Sequence, residues 1–265
     1  MESSNPSRSE VQPLPTGILS RYPWLTFLFP FLVYMLIGML EPRPPAVGDP
    51  LPDASAGWSA FEIPYRHYPL VYTAKIVATT LAMLCVLPGY RKFPLRLTLA
   101  GGAVGVVGGF VWIILSELRL EHQMFGMLGL DRWIEMGRRS AFNPLEEIRT
   151  STSGAYLFLA IRFFGLVVVV PIIEEFFLRG FVMRYVMAES WWKVPIGQVN
   201  TTAVVVGTAL PMLYHPEMFA ALVWFSAVTW LMIRSRNLWD CVLAHAITNL
   251  ILGIYVLASG HWWLM

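Results

Sequence analysis

The sequence predicts an all-α, polytopic transmembrane bundle of about seven spans, with an eighth left open. Three observations carry that prediction. Of 265 residues, 56% are hydrophobic and only 14% are charged, against roughly 25% charged in a soluble domain. Apolar runs near the ~20 residues that cross a bilayer recur along the chain. Basic residues fall in short clusters between alternate runs, as they do where loops stay on the cytoplasmic side.

In order, the spans are Tyr22–Leu40, Leu70–Leu87, Leu97–Ser116, Ile161–Val182, Val199–Tyr214, Met218–Ile233 and Leu238–Leu257. Residues 1–21 precede them as a polar, Ser/Pro-rich tail, expected to be disordered and cytoplasmic. The apolar run that follows is too long for a cleaved signal peptide. Residues 22–265 are read as one membrane-embedded domain, with the motif-bearing core at 161–257. Arg91, Lys92 and Arg96 lie between the second and third spans, Arg184 and Lys193 follow the fourth, and Arg234 and Arg236 join the last two. Alternating crossings put all of these on the side of the amino terminus.

The opposite side receives a Pro-rich loop, EPRPPAVGDPLPD, and the polar stretch Glu117 to Ala155. In that stretch AFNPLEEI offers Asn143 as an N-cap, Pro144 at the first helical position and Glu146 three residues past the cap. A short helix is expected there, leading toward the fourth span. HQMFGMLGLDRWIEM, just upstream, mixes apolar and charged residues as a surface helix does. Cys85 and Cys241 lie in apolar runs without CxxC spacing and read as small packing residues. The net charge of +2 gives no basic patch for nucleic acid, and no zinc-finger, P-loop or dinucleotide fingerprint is present. No internal repeat is visible, which counts against an inverted-repeat transporter.

Within the fourth span, VVVVPIIEEFFLRGFVMRY holds two adjacent acids in a stretch otherwise suited to lipid. Intramembrane acids are costly, roughly 2.5–3.5 kcal/mol each on insertion scales, and mark functional sites by default. Glu175 and Arg179 are four residues apart and share a helix face, so they pair. Glu174 is turned about 100° away and remains the proton acceptor of the two. Pro171 removes the backbone bond to Val167, so a kink and a freed carbonyl are expected beside the acids.

Two later segments carry imidazoles at depth. His245 and Asn249 are one turn apart on a common face of the last span. His215 ends the fifth span between Pro211 and Pro216. A regular helix from Val199 would put it about 24 Å along, far from mid-membrane, unless the helix is tilted, breaks at Pro211 or starts elsewhere. Asp240, near the start of the last span, reads as interfacial. A carboxylate and an imidazole together activate water, while an amide and a second imidazole steady an oxyanion, which suits hydrolysis of an amide bond. His and Glu are also zinc ligands, but HExxH is absent and no cofactor is required by the pattern.

EEFFLR (Glu174 to Arg179), the downstream His215 and HAITN (His245 to Asn249) resemble the CAAX prenyl protease and bacteriocin-processing (Abi) family of intramembrane glutamate-dependent endopeptidases. Its hallmarks are EExxxR, a histidine in FxxxH, and HxxxN. The first and third are matched here, while Pro211 stands where the second has its aromatic. The resemblance runs from about Ile161 to Leu257 and includes the bacterial CAAX-protease-related branch. It implies Glu174 and His215 activating water, Glu175 and Arg179 organising the pocket, and His245 with Asn249 stabilising the oxyanion. It also implies a membrane-associated protein or peptide as substrate. The residues alone leave two rivals open: a proton- or cation-coupled transporter, and a non-catalytic immunity or scaffold protein.

Overall fold

The computed structural model describes residues 17–42, 63–129, 139–149 and 151–265. Those residues form helices joined by turns and loops, without strands. The main helices are α1 (Leu25–Gly38), α2 (Tyr68–Cys85), α3 (Leu99–Leu118), α4 (Leu120–Met127), α5 (Pro144–Glu147), α6 (Thr152–Tyr185), α7 (Thr201–Met212), α8 (Met218–Ser235) and α9 (Leu238–Ser259). Five apolar stretches among them are long enough to cross a membrane, and α1 and α7 are shorter apolar helices. Together they account for the seven expected crossings. The Pro-rich loop, most of the amino-terminal tail and the second half of the expected surface helix lie outside the described residues.

Local chemistry sets the helix ends. Thr98, Ser151, Asn200 and Asn237 each accept a first-turn backbone N–H with a side-chain oxygen, at 3.2, 3.0, 2.8 and 3.1 Å. Arg236, in the left-handed region at φ 50°, closes α8 so that Asn237 can cap α9 at once. Asn143 caps α5 as the sequence predicts, accepting from Leu145 N at 3.1 Å. That helix stops at Glu147, and α6 starts afresh at Thr152 rather than at Ile161. The first part of the expected surface helix forms α4, where Glu121 accepts from Phe219 N at 2.8 Å and ties it to the start of α8.

The most extensive packing joins α3 to α9. Gly101, Gly105 and Gly109 recur every four residues on the buried face of α3. A Cβ at Gly105 would lie 2.7 Å from the Ala244 carbonyl, so the two backbones meet closely, as small-residue helix faces allow. Helix α8 packs on both α3 and α7, α1 pairs with α2, and α6 runs between α1, α2 and α9. An aromatic cluster locks this arrangement: Phe27 meets Phe93 edge-on at 5.8 Å, and Phe176 meets Trp239 at 5.4 Å. Asp240, in the first turn of α9, is fully buried, and its Oδ1 accepts from Thr98 N at 2.9 Å. That bond holds the start of α3 against α9. Cys241 is a buried packing residue, as expected, whereas Cys85 is exposed on the helix surface.

Candidate active site

Helix α6 is not a regular α-helix. It widens to π-helical geometry over Gly165–Val169 and again over Phe176–Val182, on either side of the glutamates. In the first of these the Val170 N–H reaches back five residues to the Gly165 carbonyl. The same register would give the Leu166 carbonyl the N–H of residue 171, which is a proline and has none. Asn249 supplies the missing donor: its Nδ2 bonds the Leu166 oxygen at 2.8 Å. Pro171 thus frees a carbonyl as predicted, but the one that Asn249 takes up is that of Leu166, because the helix is π rather than α there.

The two carboxylates go to different places. Glu175 is completely buried and engaged on both oxygens. Oε2 pairs with the Arg179 guanidinium, and Oε1 accepts from Nδ1 of His245 at 2.9 Å. Arg179 also donates to the Phe225 carbonyl at 3.3 Å, fixing α6 to α8. Glu174 instead lines an internal cavity of about 350 Å³, and its buried Oε2 has no hydrogen-bond partner. Near the membrane interior such an oxygen is left for a ligand or water.

His215 faces the same cavity, which removes the difficulty posed by its distance along the sequence. Helix α7 ends at Met212, and the chain then turns. His215 Nδ1 donates to the Pro211 carbonyl at 2.9 Å, since a carbonyl can only accept. Its ring stands edge-on to Trp112 and Phe225, both at 5.4 Å. In the neutral ring this leaves Nε2 as an acceptor. His245 and Asn249 line the cavity from α9. With Nδ1 donating to Glu175, His245 presents its other ring nitrogen elsewhere, and Trp224 packs on it at 4.7 Å. The structure therefore brings Glu174, His215, His245 and Asn249 to one chamber, and sets Glu175 and Arg179 behind its wall.

Sequence reasoning missed several residues of that chamber. Trp224 Nε1 donates to Thr248 Oγ1 at 3.0 Å, and Thr248 in turn donates to the Gly105 carbonyl at 2.9 Å. This chain positions the indole against His245. Tyr34, Lys75 and Arg162 also reach the cavity, from α1, α2 and the first half of α6. A readable signal existed for two of them: each of Lys75 and Arg162 is a single cation inside an apolar run. Among the described residues, no group of three or more His, Cys, Asp or Glu side chains is arranged to hold a metal ion.

No curated protein and no solved structure matches the chain. Residues 156–251 match the family model described as type II CAAX prenyl endopeptidase Rce1-like. That stretch runs from the first turns of α6 into α9 and contains all six of the polar residues singled out above: Glu174, Glu175, Arg179, His215, His245 and Asn249. Over this segment, about a third of its length, the chain is similar to the Rce1-like type II CAAX prenyl endopeptidases.

Proposed function

We propose that the protein is an intramembrane endopeptidase that hydrolyses a peptide bond of a membrane-associated protein or peptide, using water activated by Glu174 and His215. The observation that carries this reading is the unpartnered, buried Glu174 oxygen in a chamber shared with His215, His245 and Asn249. A carboxylate with no partner and an imidazole whose Nε2 is an acceptor form a proton-accepting pair. Water held between them gives up a proton as its oxygen bonds to the scissile carbonyl carbon. The oxyanion that forms is met by His245, whose charge is supported by Glu175, and by the remaining amide N–H of Asn249. Collapse breaks the C–N bond, and the leaving nitrogen takes back the proton held at Glu174 or His215.

Anchoring explains the division between the two glutamates. Glu175 is held by Arg179 and His245 and serves to orient the imidazole, as a carboxylate behind a histidine does. Glu174 is free to exchange protons. Cleavage of a lipid-anchored peptide by the purified protein in detergent should fall by about 10²–10⁴-fold in Glu174→Ala and Glu174→Gln, with folding retained. Full activity in Glu174→Gln would refute this mechanism. Proton flux through reconstituted vesicles with no peptide cleavage would favour a transporter instead.

A further inference from the structure

The cations around the chamber are balanced, with one exception among the described residues. Lys75 Nζ lies 2.5 Å from Glu41, an ionic contact flanked by the rings of Tyr34 and Tyr72. Arg139 meets Glu217 at 2.5 Å, and Arg179 is paired with Glu175. Arg162 is only 2% exposed and has no acid within ion-pair distance among the described residues. Its Nη1 donates to the Phe142 carbonyl at 2.6 Å, and the rings of Tyr68 and Trp262 flank the guanidinium at 5.6 and 5.8 Å. Its Nη2 is buried with no partner at all.

A guanidinium taken out of water needs a counter-charge or a full set of acceptors, and one carbonyl with two rings supplies neither. Arg162 also lines the chamber, on the same wall as Leu166, Val170 and Glu174. Those four residues follow one another at four-residue spacing, so the wall carries a cation at one end, a carboxylate at the other and apolar side chains between. The two ends are at most about 18 Å apart along the helix axis. An extended peptide covers that in about five residues.

Resting on the proteolytic reading above, we propose that Arg162 receives a carboxylate of the bound peptide. That would make it a specificity-determining residue, selecting substrates that carry the anion no more than about five residues from the scissile bond. The carboxylate has two possible sources, the peptide's own C-terminus and an acidic side chain, and both present the same planar oxygen pair to the guanidinium fork.

The test uses the full-length protein in detergent and N-acylated, internally quenched apolar peptides of six to ten residues in three forms. One ends in a free carboxylate, one in an amide, and one in an amide with Asp as the last residue. Cleavage gives kcat/KM, and tryptophan fluorescence gives binding, since Trp262 abuts Arg162. The expected result is a roughly 10- to 100-fold preference for a carboxylate-bearing form over the plain amide, expressed mainly in KM. Which of the two forms is preferred identifies the source of the anion. In Arg162→Gln the preference should collapse toward one. A residue that merely anchors Phe142 would lower all three forms together and leave their ratio intact, which would overturn the proposal. So would a wild type indifferent to the carboxylate in both cleavage and binding, a comparison that stands even where Arg162→Gln fails to fold. No cleavage of any form by the wild type would instead refute the proteolytic reading, and the binding preference would still decide the role of Arg162.

Discussion

Replacing Arg179 by leucine tests whether the buried cluster behind the chamber is an electrostatic unit. Arg179 and Glu175 both have fully buried side chains, and the acid has only the guanidinium and His245 to satisfy it. Arg179→Leu leaves an uncompensated carboxylate among Phe176, Leu178 and Phe225, and breaking such a pair from one side costs about 3–5 kcal/mol. For a chain of this size that corresponds to a fall in Tm of roughly 5–9 °C. Removing the charge as well, in Arg179→Leu/Glu175→Gln, should recover most of the loss, because the amide still accepts from His245 Nδ1 without needing a counter-ion. Thermal unfolding in one detergent, followed by tryptophan fluorescence, gives the four corners of the cycle. Peptide cleavage should stay low in both variants, since the charge behind His245 is gone in one and disordered in the other. If Arg179→Leu unfolds with the wild type, or the double variant is no more stable than the single, the cluster is not coupled as described.

Two further substitutions probe how the helices hold the site. Gly105→Ala places a Cβ 2.7 Å from the Ala244 carbonyl and 2.8 Å from Ile247 Cβ, so it should destabilise by about 1–3 kcal/mol and lower cleavage by displacing the turn that carries His245. Gly102→Ala, whose nearest neighbour is the Ile247 Cδ1 atom at 4.0 Å, is the matched control and should be neutral or slightly stabilising in the same unfolding measurement. Pro171→Ala supplies the N–H that the Leu166 carbonyl lacks, and so competes with Asn249 for that oxygen. Stability should hold or rise while kcat falls, and unchanged kcat would show that the Asn249 bond does not position the amide.

The spans α2, α3, α6, α7 and α9 were legible because each is an apolar run with a side-chain cap or a proline at its start. Asn143 with Pro144, and the Glu175–Arg179 pair, were readable for the same reason: they are local, set by spacing within one helix. What the sequence could not display is register between helices. Nothing in HAITN says that His245 donates to Glu175 rather than lying beside Glu174, since that depends on how closely the glycine face of α3 lets α9 approach. For His215 the sequence sets only a condition, that the fifth span be tilted, broken at Pro211 or started elsewhere for the imidazole to reach the acids. The helix stops at Met212 and the chain folds back, so its position follows from a turn that periodicity does not encode. The π-helical stretches of α6 were also invisible, because valine and phenylalanine runs fit either winding. The partner of Asp240, the Thr98 N–H, is likewise hidden from the sequence, because it comes from the start of a different helix.

The chamber's walls come from two sources. Glu174, His215, His245 and Asn249 lie within the stretch that the family model matches, whereas Tyr34, Glu41 and Lys75 come from helices and a loop that precede it. Substitution at Tyr34, Glu41 or Lys75 would reshape that side of the room while leaving the matched stretch as it is.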